Sequence, residues 1–144
     1  MIVQQILGTK PKSGVTTITP TATLAEAVEL LSAHRIGAVV VSTDGRHVAG
    51  ILSERDVVRE LGRHGPACLA FRIERVMTSK ITSCTAAESA NDVLQKMTDG
   101  RFRHMPVLDG EEMIGLISIG DVVKARLSEL SMEKDALEGM IKGF

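Results

Sequence analysis

From Val15 to Leu61, and again from Ile81 to Leu127, the chain repeats itself. The first copy reads VTTITPTATLAEAVELLSAHRIGAVVVSTDGRHVAGILSERDVVREL. The second reads ITSCTAAESANDVLQKMTDGRFRHMPVLDGEEMIGLISIGDVVKARL. Val41-Ser-Thr-Asp-Gly aligns with Val107-Leu-Asp-Gly once one residue is dropped near the turn. Gly50-Ile-Leu-Ser-Glu-Arg-Asp-Val-Val then falls on Gly115-Leu-Ile-Ser-Ile-Gly-Asp-Val-Val. Self-similarity at a period of roughly 65 residues restricts the fold more than any local signal, because each copy must be the same supersecondary unit.

Each copy carries the same order of signals. A short extended lead, around Val15–Ile18 or Ile81–Cys84, runs through small polar residues into a helix. In the first copy Thr23 stands three residues before Glu26, the spacing of a capping box. Leu24, Ala27, Val28 and Leu31 then form an apolar stripe at helical spacing. Two β-branched runs follow, Ile36–Val41 and Val48–Leu52, joined by Asp44-Gly45, a hairpin-turn signal that Asp109-Gly110 repeats. The second run passes into another helix, Glu54–Leu61 or Gly120–Leu130. The expected fold class is α/β (α+β), with two β-α-β-β-α repeats. One such half is too small to bury its own sheet, so the halves are expected to pack about a pseudo-twofold axis with clefts between them. The expected boundaries are a lead-in at 1–14, repeat one at 15–63, a linker at 64–78, repeat two at 79–130 and a helical tail at 131–144. The segment Glu129–Lys142 is expected to continue the last helix, and its Leu130, Leu137 and Ile141 suit either a subunit contact or a solvated helix end.

Composition narrows the function. Three Phe and no Trp or Tyr leave the core to aliphatic residues and Met, and leave no aromatic platform for stacked bases. A net charge of −1 gives no electrostatic case for nucleic acid or an anionic membrane. Cys68 and Cys84 lack both metal-ligand spacing and a disulfide framework, which points to a reducing compartment. The start lacks a signal-peptide pattern, and no apolar run could span a bilayer; the expected location is cytoplasmic.

The duplicated segments Gly50-Ile-Leu-Ser53-Glu-Arg55-Asp56 and Gly115-Leu-Ile-Ser118-Ile-Gly120-Asp121 resemble the signature ending of CBS domains, and the resemblance spans about Val15 to Leu127. It implies that the glycine lets the strand approach its neighbour, and that the serine marks the strand-to-helix junction. It further implies that the aspartate accepts bonds from the two ribose hydroxyls of an adenosine ligand. A carboxylate suits a cis-diol, being acceptor-only with two oxygens, and a helix N-terminus offers N–H groups to phosphate. Ser-x-x-Asp is equally a plain cap with an acid in the first turn. Both readings stand on the sequence alone.

The two sites differ. Asp121 and Ser118 are joined by Arg103 and His104, which in nucleotide-binding members of the family meet phosphate; Arg offers a bidentate fork for it. Their counterparts in repeat one are Gly37 and Ala38, and Arg55, beside Asp56 and Ser53, is a candidate to compensate, where repeat two has Gly120. Family geometry adds the leading strand of each repeat to the other's site: Thr16 to the second, Thr82 with Thr78 to the first. Leu116 and Ile51 are the implied adenine walls, although Thr and Ile are also ordinary strand residues. The implied ligand is AMP, ADP, ATP or NAD(H).

Other chemistry is poorly supplied. His34, His47 and His64 are scattered and lack the carboxylate or cysteine company of a metal site. Neither cysteine has a nearby His, and neither signature serine has an evident base. The seven Met residues read as adaptable core filler, and no P-loop or dinucleotide fingerprint occurs. Three function classes remain: a non-enzymatic adenine-nucleotide sensor acting on an unknown regulated protein, a constitutive scaffold with degenerate sites, and a nucleotide-processing enzyme or nucleic-acid binder using Arg101, Arg103, Lys124 and Arg126. The third lacks base, nucleophile, metal cluster and positive charge. A homodimer is expected through the helices carrying Val57, Val58, Leu61 and Val122, Val123, Leu127.

Overall fold

The computed structural model describes residues 1–10 and 14–143, so residues 11–13 of the expected lead-in and residue 144 of the expected tail lie outside the described residues. The chain forms two compact units. Within the described residues, unit 1 holds 1–10, 83–109 and 115–143, and unit 2 holds 14–82 and 110–114.

Unit 2 contains β1 (Thr17–Ile18), α2 (Leu24–His34), β2 (Ala38–Val41), β3 (Gly50–Ser53), α3 (Glu54–His64), a 3-10 turn (Gly65–Ala70) and α4 (Ile73–Val76). The expected capping box starts α2: Thr23 Oγ1 accepts the Glu26 amide at 3.2 Å, and Glu26 accepts the Thr23 amide at 3.3 Å. Beyond it, β1 pairs parallel with β2, and β2 pairs antiparallel with β3, Val39 opposite Leu52. Strand β2 is buried along its whole length, and Leu24, Ala27, Leu31, Val39, Val41 and Leu52 close the core with Ile73 and Val76. The turn between β2 and β3 is longer than a two-residue hairpin. Asp44 organises it, with Oδ1 accepting the Arg46 and His47 amides at 2.8 Å each while Gly45 takes φ +78°. Strand β3 accordingly starts at Gly50, two residues later than the apolar run suggests.

Unit 1 contains α1 (Val3–Gly8), α5 (Ala90–Gly100), β4 (His104–Asp109), β5 (Glu112–Ser118) and α6 (Ile119–Ile141). Its core repeats that of unit 2 position by position, with Ala90, Val93, Met97, Met105, Val107 and Ile117 buried where the first repeat buries Leu24, Ala27, Leu31, Val39, Val41 and Leu52. Backbone geometry is repeated too. Arg35 and Arg101 end α2 and α5 in the left-handed region, at φ 52° and 56°, a conformation that commonly closes helices.

One expectation needs correction. The leading strand of the second repeat shrinks to one parallel bridge between Cys84 and Val107. In the first repeat the Val40 amide donates to Thr16 O at 3.4 Å. The aligned position in the second repeat is Pro106, which has no N–H to give Thr82, so the ladder cannot extend. The last helix runs without a break to Ile141, so the tail continues it as expected.

The lead-in is not a passive tail. Helix α1 buries Val3 and Ile6 in unit 1, whose other core residues all follow Ser83 in the chain. Helix α4, which precedes the second repeat, buries Ile73 and Val76 in unit 2. Each repeat therefore completes its core with the helix that leads into the other. Val3-Gln-Gln-Ile6-Leu7-Gly8-Thr9-Lys10 and Ile73-Glu-Arg-Val76-Met77-Thr78-Ser79-Lys80 are thus an earlier, fainter stretch of the same duplication.

Candidate functional site

In each unit a strand ends at a serine and a helix begins. Ser53 and Ser118 are N-caps in extended conformation, at φ −108° and −98°. Three residues on, Asp56 and Asp121 close reciprocal capping boxes. Asp56 Oδ2 accepts the Ser53 amide at 2.9 Å, and Asp121 Oδ2 accepts the Ser118 amide at 2.9 Å. The serine hydroxyls accept the aspartate amides at 3.4 and 3.2 Å. Capping, one of the two readings the sequence allowed, is thus physically present in both copies.

The two carboxylates then diverge. Asp56 is buried, with its side chain 5% exposed. Its Oδ2 also takes the Ser53 hydroxyl at 3.2 Å, while Oδ1 takes the Thr78 hydroxyl at 3.4 Å and Arg59 Nη1 at 2.9 Å. Thr78 arrives by pairing with Ile51, the two exchanging N–H···O bonds of 2.9 Å each way. Ile51, Ser53, Asp56 and Thr78 are therefore one cluster. Thr82 lies exposed in the same unit, and Arg55 is exposed on the first turn of α3. Gly50 is required here, because a Cβ would sit 2.5 Å from Met77 Sδ and 2.9 Å from Thr78 O.

The Asp121 side chain is 25% exposed. Beside the Ser118 amide, Oδ2 meets Lys10 Nζ at 2.8 Å, and the same ammonium donates to Leu116 O at 2.8 Å. Burial works against ionisation of this carboxyl, but the Lys10 ammonium and the Ser118 amide outweigh it and hold its pKa below the ordinary value. Arg103 O accepts the Ile119 amide at 2.8 Å, which ties the start of β4 to the first turn of α6. Gly37 O accepts the Glu54 amide at 2.9 Å in the equivalent place, so Gly37 and Arg103 do correspond. The Arg103 side chain is exposed and His104 half-buried. Ser118, Asp121, Leu116, Arg103 and His104 are thus gathered in unit 1, whereas Thr16, half-buried, belongs to unit 2. Gly115 admits Leu7 of the lead-in: a Cβ would lie 2.7 Å from Leu7 Cδ2.

Lys10 is the site residue the sequence reading missed. The signal was available: Lys10 aligns with Lys80 once the duplication is extended upstream of Val15. His47 Nδ1 lies 2.5 Å from Asp44 Oδ2 and His64 Nε2 lies 3.7 Å from Glu60 Oε2. These remain single pairs; among the described residues no group of three or more His, Cys, Asp or Glu converges as metal ligands do. No described helix is long and apolar enough to cross a membrane.

The CBS domain family pattern matches residues 3–63 and 73–128. The mitochondrial CBS domain-containing protein CBSX3 of Arabidopsis thaliana is 36% identical over 125 residues, 84% of this chain. The alignment spans 61% of that relative's own length. A CBS-domain containing protein of Agrobacterium tumefaciens is 40% identical with a TM-score of 0.82, covering 87% of this chain and 92% of that one. A CBS domain protein of Pyrobaculum aerophilum, solved in complex with AMP, shares 23% identity and the fold, with a TM-score of 0.76 over 92% of this chain and 99% of that one. With two matches that together take in most of its length, the chain belongs to the CBS-domain family and carries two CBS domains in tandem.

Proposed function

We propose that this chain is a regulatory, non-enzymatic module that binds an adenine nucleotide at the junction of β5 and α6 and passes the occupancy of that site to a regulated protein. The observation that carries the reading is the contrast between the two aspartates. Asp56 has both oxygens engaged by Ser53, Thr78 and Arg59. Ser118 and Lys10 both meet Asp121 on Oδ2. A ribose cis-diol offers two O–H donors to an acceptor-only carboxylate, and Asp121 is the better placed of the two to accept them. Lys10 favours the ionised form that this requires. The N–H groups of the first turn of α6, with Arg103 and His104 beside them, supply donors and positive charge for phosphate. The AMP complex of the Pyrobaculum protein supports AMP as the first ligand to test, with ADP, ATP and NAD(H) sharing its adenosine half. Two buried free thiols suit a reducing setting, and we read it as the cytoplasm.

A specific observation favours a second reading. Both capping boxes are complete without a ligand, as a constitutive scaffold would need. Calorimetry on protein unfolded, stripped of small molecules and refolded separates the two. A sensor binds AMP, loses about ten- to a hundredfold affinity on Asp121→Ala, and loses more for AMP than for adenosine on Arg103→Ala. No heat with millimolar AMP, or binding indifferent to Asp121→Ala, establishes the scaffold reading instead.

A further inference from the structure

We propose that Lys10 makes the junction of β5 and α6 select phosphorylated nucleosides over neutral ones: its ammonium keeps the ribose's place on Asp121 until a nucleotide enters, and then turns to the phosphate. This role for Lys10 rests on the adenine-nucleotide reading of that junction. The two repeats close the same strand edge with different groups. In unit 2, α4 stops at Val76 and Met77 turns extended, at φ −60° and ψ 156°. Thr78 then pairs along β3, exchanging backbone bonds with Ile51 and giving its hydroxyl to Asp56 Oδ1 at 3.4 Å. In unit 1 the aligned helix does not stop there. Helix α1 runs through Leu7 to Gly8, and the amides of Thr9 and Lys10 turn back onto Ile6 O and Leu7 O at 3.1 and 3.2 Å. The backbone is spent on its own turn, and one side chain takes over both tasks of Thr78. Lys10 Nζ donates to Leu116 O, the counterpart of Ile51 O, and to Asp121 Oδ2, each at 2.8 Å.

A strand pairing and a side-chain cation differ in what a ligand can displace. The Asp56 side chain is 5% exposed behind its paired strand. Lys10 and Asp121 are 35% and 25% exposed and meet through a flexible aliphatic stem. Yet the ammonium stands in the way of a ribose. A carboxylate oxygen accepts about two bonds, and on Asp121 Oδ2 the Ser118 amide and Lys10 supply them. A cis-diol that engages both oxygens must therefore take the place of Lys10. The displaced ammonium cannot go far, because Val3 and Ile6 are buried in the unit 1 core and Leu7 is lodged over Gly115. It stays beside the first turn of α6, whose amides favour an anion. AMP gives it a phosphate in exchange for the carboxylate, a charge-assisted bond for a charge-assisted bond. Adenosine separates the same ion pair and offers nothing in return.

Calorimetry with adenosine and AMP on the wild type, Lys10→Met and Lys10→Arg tests this. Lys10→Met keeps the stem and removes the charge. It should tighten adenosine about threefold, because an exposed ion pair no longer has to be broken. It should loosen AMP about three- to thirtyfold, the lost phosphate bond outweighing the easier entry. The preference for AMP over adenosine should thus fall about tenfold or more. Lys10→Arg keeps the cation and should retain most of the wild-type preference. A lead-in that was merely loosened would weaken both ligands together. A preference that Lys10→Met leaves unchanged or raises, or that Lys10→Arg loses as fully as Lys10→Met, overturns the role of Lys10 and leaves the nucleotide reading standing. No heat with either ligand at millimolar concentration, in the wild type and Lys10→Met alike, overturns both.

Discussion

Replacing Asp56 and Asp121 in turn should separate structural from binding roles within one pair of aligned residues. Asp56 is buried and accepts from the Ser53 amide, the Ser53 and Thr78 hydroxyls and the Arg59 guanidinium. Asp56→Ala strands these donors around a buried gap, and removing a charged acceptor from satisfied donors costs about 3 kcal/mol. For a chain of this size that is a fall of about 6–12 °C in Tm. Asp121 is a quarter exposed, and its partners are one amide and a lysine more than a third exposed. Its loss removes half a capping box and a screened ion pair, about 1 kcal/mol or about 2–4 °C. The order should invert in AMP titrations, where Asp121→Ala does the damage and Asp56→Ala leaves the main binding event nearly untouched. Differential scanning calorimetry with and without AMP reads both quantities. Equal melting shifts, or a larger one for Asp121→Ala, would refute the assignment of Asp56 as the structural member.

Gly50→Ala should cost about 2–3 kcal/mol by overpacking, because the added methyl meets a backbone oxygen as well as Met77, and Gly115→Ala should cost less because it meets only the tip of Leu7; urea melts of the two variants compare them. The depressed Asp121 pKa makes a stabilising contribution that is full above the unfolded value of about 3.9 and disappears as pH falls through the lower folded value. The stability difference between wild type and Asp121→Asn should therefore be constant near neutrality and vanish in acid, as measured by melting temperature against pH. His47 has its pKa raised above 6.5, chiefly by its hydrogen bond to Asp44. Asp44→Asn should bring its NMR titration midpoint back down to the ordinary value. Burial first, then the nearby Glu88, pushes the Cys84 thiol up to about 11, so Cys84 should stay silent to thiol reagents until the protein unfolds.

Much of the fold was legible because duplication let each repeat check the other. The buried positions of α2, β2 and β3 recur in α5, β4 and β5, and a Thr-x-x-Glu or Ser-x-x-Asp spacing has few local solutions. The failures came where one repeat departs from the other. Nothing in Ile81–Cys84 itself forbids a strand; the obstacle is Pro106 on the facing strand, which becomes visible only when Val40 is aligned with it. The extra length of the first hairpin follows from side-chain acceptors on Asp44 that a two-residue turn signal does not encode. Lys10 escaped notice because its partner is more than a hundred residues away and its own surroundings, Thr-Lys-Pro-Lys-Ser, read as a polar leader. The pairing of Ile51 with Thr78 was likewise beyond local pattern, although both residues were already candidates on other grounds.

The exchange of leading helices has a consequence for the order in which a ribosome can finish the molecule. Unit 2 draws its buried core from Leu24 to Val76, a nearly unbroken stretch that emerges early. Unit 1 does not. Val3 and Ile6 emerge before the whole of unit 2, yet their neighbours extend to Ala125. At 5–20 residues per second, synthesis leaves those side chains without a home for on the order of ten seconds. Cutting the gene at the linker would not give two equal halves. The first would carry a helix parted from its core, while the second would lack Val3 and Ile6 and expose the hollow beside Gly115 that Leu7 fills.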